Sequence, residues 1–263
     1  MFDKKNIATF SLLLKLPIIH GFSWGEEAPN MSEVYSDDRN TIEARVSSFL
    51  IALGIRPSSI IVRINPNNDP HDNTDITEIT KELLKRKLID AGEIEVSSNA
   101  IFTKLNDVVL TVKPADCAIC ILYFENNRKE KFVGLIHCSA KNTDKLLPKK
   151  TIEYLMENYS VEPKTIKVGI TPAISKEYFY VNPGEIQENN WEDFMEKRNG
   201  LIFLNIVGNT IFQLKKTGIL SESIQYYGID TFTAALVGKT FSHRLARDLN
   251  LPNGRYIVAA SLK

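Results

Sequence analysis

Three cysteines and four histidines are few for 263 residues, and positive and negative side chains balance to a formal net charge of zero. Three cysteines with no second CxxC pair supply neither a disulfide framework nor a zinc ribbon. A balanced charge gives no reason to expect nucleic acid or an anionic membrane as a partner. Long apolar runs are also missing. The strongest candidate, FSLLLKLPII at residues 10–19, is split by Lys15 and has no small-residue cleavage site after it. It is too short to span a bilayer, so a cytoplasmic, reducing setting is expected. No internal repeat, low-complexity segment or linker divides the chain. Short strands and helices alternate to its end, which predicts one α/β (mixed α+β) domain over residues 1–263.

What is present concentrates in residues 108–143, which hold all three cysteines and His137. Val108 to Val112 is a β-branched run, interrupted by Lys113-Pro114 because proline offers no N–H to a ladder. Residues 118–124 and 132–136 are apolar runs on either side of a polar turn and predict a hairpin. That pairing brings Cys117, at the start of one strand, near His137, at the end of the other. A thiol and an imidazole at one sheet end suit a metal or a nucleophile–base pair. Cys120 lies three residues on, so strand alternation turns it from Cys117 and makes it a small core residue. Helical spacing and stop signals predict helices over 38–53, 74–90, 144–159, 187–198 and 205–216.

The same stretch resembles a known family. Pro114-Ala115-Asp116-Cys117, a following strand and then His137 resemble the paired ADC … HAGWRG signature of the YfiH or laccase-domain family. His20-Gly21-Phe22-Ser23, Asn30-Met31-Ser32, Pro172-Ala173-Ile174, Phe241-Ser242-His243-Arg244 and Gly254-Arg255 resemble further elements of it, in order, across nearly the whole chain. The resemblance implies a mixed α+β fold and a purine nucleoside phosphorylase with adenosine deaminase activity, acting on a purine nucleoside with phosphate or water. It further implies a zinc or copper held by Cys117, His137 and one more ligand. Asn65 falls where the family has its first metal-binding histidine. An amide is a weak zinc or copper ligand, so a weakly held metal is expected, with His71 either a substitute ligand or a solvated loop histidine. Lys141 and Arg244 are the expected phosphate cradle, with Asn65 on the pocket wall and His20, Ser23 or Arg244 near its mouth.

Two other readings stay open at this point. One is a Cys-His hydrolase with Cys117 as nucleophile, His137 as base and Asp116 as a candidate orienting group. The other is a family member that has lost catalysis and binds a nucleoside or a partner.

Overall fold

Residues 2–26, 28–32, 38–66, 76–87 and 93–263 are described by a computed structural model. Strand Ile7–Ala8 (β1) and a helical turn, Ser11–Leu14 (α1), lead into Ile18–Ser23 (β2). Helix Arg39–Leu53 (α2) starts at Asp38, whose carboxylate accepts the Thr41 N–H, and stops at Gly54, whose φ of 94° suits a residue without Cβ. Next come Ile60–Asn65 (β3), Ile76–Glu78 (β4) and Lys81–Lys87 (α3). The helix expected over 74–90 is therefore a strand followed by a shorter helix, and its residues 74, 75 and 88–90 lie outside the described set. Ile76 to Glu78 pairs in parallel with Ala100 to Phe102, so a free sheet edge overrides the local helical spacing.

Strands Glu93–Ser97 (β5), Ala100–Thr103 (β6), Val108–Val112 (β7), Ala118–Glu125 (β8) and Lys131–Cys138 (β9) follow. β8 and β9 form the expected antiparallel hairpin, with Ala118 opposite Cys138 and Glu125 opposite Lys131. The helix expected over 144–159 is two helices, Ala140–Asp144 (α4) and Leu147–Tyr159 (α5), broken at Leu146 with φ 60°. Pro148 sits in the first turn of α5, where its missing N–H forfeits no helical bond. Then come Lys167–Ile170 (β10), Tyr180–Val181 (β11), Met195–Arg198 (β12), Leu201–Leu204 (β13) and Ile206–Lys216 (α6). The polar helix expected over 187–198 is two 3₁₀ turns and then β12, because Met195 to Arg198 finds an antiparallel partner in β13. Ile224–Tyr226 (β14), Thr231–Leu236 (α7), His243–Leu249 (α8) and Val258–Leu262 (β15) complete the chain.

Two six-stranded sheets carry the core, in the orders β1-β2-β15-β7-β3-β5 and β14-β10-β8-β9-β6-β4. The two-residue period of a strand sorts their side chains. On β8, Ile119, Ile121 and Tyr123 join Val62, Ile64, Leu110, Val112, Val258 and Ala260 of the other sheet in one buried cluster. Ala118, Cys120, Leu122 and Phe124 look the opposite way, onto Ile152 and Leu155 of α5 and Leu214 of α6. The far face of the first sheet takes Ile42, Val46, Phe49 and Leu50 of α2 against Val109, Ile257 and Ala259. The layers therefore run helix, sheet, sheet, helices. Each fully buried aliphatic side chain in these layers contributes about 1.5–3 kcal/mol. A three-stranded sheet, β11-β13-β12, carries a smaller cluster around Trp191, Ile202 and Leu204. Both six-stranded sheets mix parallel and antiparallel pairs, so the mixed α+β class expected from the sequence is what forms.

Candidate active site

Cys117 immediately precedes β8, and His137 is the last residue but one of β9. Ile119 and Ile121 of β8, and Val133 and Leu135 of β9, face the space between the sheets, so Cys117 and His137 continue that face by parity. Both line one cleft of about 670 Å³. Cys120 and Cys138 have the other parity. They are fully buried beneath the helices, with their Sγ atoms 3.6 Å apart. CxxC spacing thus builds no shared thiol site, and Cys120 is the small core residue that alternation predicts.

The cleft has a charge that the whole chain does not. Arg63, Lys113, Lys141, Lys145, Arg244, Arg247 and Arg255 line it, seven cationic side chains against one carboxylate, Asp116. One corner is balanced from behind. Arg63 pairs with Glu95 and lies 3.1 Å from Glu93, and Lys113 lies 3.9 Å from Glu93. On the opposite side Arg247 pairs with Asp248 at 2.9 Å, while Lys141, Lys145 and Arg244 have no ion pair among the described residues. Lys141 and Lys145 come from α4 and the residue that closes it, and Arg244 and Arg247 from α8. Arg244 is buried, its Nη2 donates to the Tyr180 carbonyl at 2.8 Å, and its guanidinium lies 4.1 Å over the Tyr180 ring. Its Nη1 is buried with no hydrogen-bond partner among the described residues. At the rim, the Glu185 carboxyl is held below the usual range first by the Asn182 amide groups and then by the charges of Lys141 and Arg244.

Asp116 acts as a fastener. Its carboxylate accepts the Thr231 hydroxyl at 2.7 Å and the Arg244 backbone N–H at 2.8 Å, joining the entry to β8 to α7 and α8. Burial pushes this carboxyl up, and those hydrogen bonds oppose the shift. His137 is held through its backbone. Its N–H donates to the Asn99 carbonyl at 2.8 Å, and the Asn142 amide donates both to the His137 carbonyl at 2.8 Å and to Asn99 Oδ1 at 2.9 Å. Its ring Nδ1 is buried without a partner among the described residues, and burial lowers the imidazole to about 4. His137 is therefore neutral at neutral pH. Burial, with the Asp116 charge adding and Arg255 opposing, pushes the Cys117 thiol up to about 12. It is a protonated thiol over the same range.

Three expected residues are elsewhere. Asn65 is not on the cleft wall. β3 alternation turns Val62 and Ile64 inward and Asn65 outward, where its amide donates to Glu95 at 3.1 Å. Ser23 is buried away from the cleft mouth, and its hydroxyl accepts the Ile257 N–H at 3.1 Å, pinning β2 to the chain's end. His20 is likewise structural, since its Nε2 accepts the Phe10 N–H at 3.0 Å. His71 lies outside the described residues. Lys113, Lys145, Arg247 and Asn142 escaped the sequence reading. The four-residue step from Lys141 to Lys145, and the three-residue step from Arg244 to Arg247, are the signals that mark Lys145 and Arg247.

The model of the multi-copper polyphenol oxidoreductase laccase family matches residues 20–263. The chain belongs to that family. Three solved structures share its fold. YlmD of Geobacillus stearothermophilus is 20% identical with a TM-score of 0.76, covering 97% of this chain and 94% of that one. The hypothetical protein YfiH of Bacillus licheniformis is 18% identical with a TM-score of 0.74, covering 94% and 93%. A Neisseria meningitidis protein is 15% identical with a TM-score of 0.75, covering 98% and 99%. No curated protein matches the chain. The family's name speaks of copper, so the donor set matters. A catalytic zinc takes three protein ligands, and copper sites likewise draw on imidazole and thiolate groups. Among the described residues no three His, Cys, Asp or Glu side chains converge. Cys117 and His137 are two donors, Asn65 faces away, and Asp116 is committed to Thr231 and Arg244. The described residues of this family member do not fit a three-ligand zinc or copper site. They also do not form a Cys-His-Asp relay, because Asp116 bonds elsewhere and His137 Nδ1 has no partner among them. None of the helices is long and apolar enough to cross a membrane among the described residues.

Proposed function

We propose that this protein is a purine-nucleoside enzyme that uses phosphate, and that its reaction is phosphorolysis in the cleft beside Cys117 and His137. The observation that carries this reading is the seven-to-one excess of cationic over anionic side chains on the cleft of a chain with no net charge. A phosphate dianion needs such a cradle, and guanidinium forks hold it in a fixed orientation. In the reaction, a phosphate oxygen forms a bond to the anomeric carbon of the ribose. The bond to the purine nitrogen breaks, its electron pair stays on the base, and the base takes a proton. Lys141 and Arg244 are the groups to orient the phosphate, and Arg244 Nη1, without a partner among the described residues, supports that role. Neutral His137 offers a hydrogen bond to the base without adding a second charge to the site. Cys117, as a thiol, serves as part of the wall.

The test is release of base from inosine and adenosine with and without phosphate, with ammonia release and metal content measured on the same samples. Phosphate-dependent release with ribose phosphate as co-product is expected. Release at the same rate without phosphate overturns the reading in favour of hydrolysis. Binding of nucleoside with no turnover points to a family member that has lost catalysis. Ammonia from adenosine that needs no phosphate favours the deaminase activity.

A further inference from the structure

Four of the cations that line the cleft are arranged in two rows. Lys141 and Lys145 form one row on α4, and the Lys145 N–H donates to the Lys141 carbonyl at 3.0 Å, so the helical turn is complete between them. Arg244 and Arg247 form the other row within α8, and all four side chains line the same cleft. Residues three or four apart on a helix lie about 5–6 Å from one another at Cβ, one above the other. Each row therefore offers a second cation one turn from the first. Lys141 and Arg244 both act on the Glu185 carboxyl, which puts them on one level, and Lys145 and Arg247 each lie one helical step from it. One inorganic phosphate occupies one level. Arg247 gives its Nη2 and Nε to Asp248 at 2.9 and 3.1 Å, but its side chain is half exposed, and a surface pair of this kind contributes little enough to exchange for a phosphate.

We propose that the cleft binds two anionic groups at once, so that the nucleoside it takes carries a phosphate of its own. The substrate class is then a purine nucleoside monophosphate, with its phosphate on the Lys145 and Arg247 level and inorganic phosphate on the Lys141 and Arg244 level. This rests on the phosphorolysis reading above and extends it. The step balances as before: inorganic phosphate adds to the anomeric carbon, the base leaves with the electron pair and is protonated, and the sugar product is a ribose bisphosphate.

Two measurements separate this inference from the reading beneath it. Steady-state turnover with phosphate compares inosine with inosine monophosphate, and calorimetric titration compares the binding of the same two compounds. Inosine monophosphate is expected to be favoured about tenfold in both kcat/KM and affinity. In Lys145→Ala and Arg247→Ala the ratio of the two compounds should fall toward one. Both positions are solvent-accessible, and circular dichroism checks that each variant is folded. Equal turnover of the two compounds overturns the two-anion inference and leaves phosphorolysis standing. No turnover of either, with inosine monophosphate still bound about tenfold tighter through Lys145 and Arg247, overturns phosphorolysis and leaves the two-anion site standing. A preference that survives both substitutions also overturns the inference.

Discussion

Arg244 has a structural role, and a binding role is proposed for it. Its backbone N–H fastens to Asp116, its Nη2 fastens to Tyr180, and its Nη1 is buried with no hydrogen-bond partner among the described residues. Replacing it with glutamine should raise the KM for phosphate by about 10- to 100-fold, the equivalent of losing a charged hydrogen bond of about 1.5–3 kcal/mol. Lys141→Gln, at an exposed position, should move the same parameter by less, and a KM unchanged in both variants would remove them from the cradle. His20 gives a separate prediction on stability. Burial, opposed by the bond from Phe10 and helped by the charge of Lys263, lowers it from 6.5 to about 4. Between those values the unfolded chain binds more protons than the folded one, so stability rises with pH through that window and is lost as pH falls through it. Its contribution should drop by about 2 kcal/mol between pH 7 and pH 5. Urea unfolding at the two pH values measures this, and His20→Gln should flatten the difference.

Elements meet here at distances that leave little room. β10 passes so close to α1 that a Cβ on Gly169 would lie 2.6 Å from Phe10 Cδ2. Phe10 is fully buried and packs against His20, Phe22 and Tyr227, so its ring has nowhere to retreat. Gly169→Ala should cost about 1–3 kcal/mol, and Phe10→Leu in the same chain should recover part of the loss. A urea midpoint that does not move in Gly169→Ala would contradict the close packing. On the opposite side, Asn142 joins the N-terminal end of α4 to β9 and to Asn99 through two hydrogen bonds. Asn142→Ala removes one donor from the Asn99 side-chain oxygen and one from the His137 carbonyl. It should lower stability by about 1–3 kcal/mol and turnover with it. Retained activity with lowered stability would show that the placement of His137 does not depend on this tie.

For the whole molecule, the donor set predicts metal content. With no group of three donor side chains among the described residues, the dialysed protein should hold well under one zinc or copper per chain, measured by elemental analysis. Stoichiometric metal that survives Cys117→Ala would show that the ligands lie elsewhere. The net charge makes a second prediction at this scale. The chain as a whole is neutral while cations outnumber carboxylates on the cleft wall, so added salt should weaken phosphate binding through local screening. An affinity for phosphate that does not change between low and physiological salt would argue against an electrostatic cradle.

The sequence by itself determined what depends on a few neighbouring residues. Asp38 and Gly54 mark the ends of α2 because a cap and a left-handed stop are local backbone events. The two-residue period of β8 and β9 puts Cys117 and His137 on one face and Cys120 on the other, whatever the hairpin packs against. The ordered motifs carried the family. Tertiary structure alone decided what depends on partners distant in the chain. Ile76 to Glu78 is a strand because β6 offers it an edge, and Met195 to Arg198 is a strand because β13 does. Asn65 turns to Glu95 because the register of β3 against β5 places it there. The cationic cleft exists because residues 141–145 and 244–247, about a hundred positions apart, reach the same space. β15 pairs with β2 and β7, and Asp116 grips Arg244 and Thr231, so the end of the chain is carried back beside its middle. Local periodicity fixes which way a side chain points; only long-range pairing fixes what it points at.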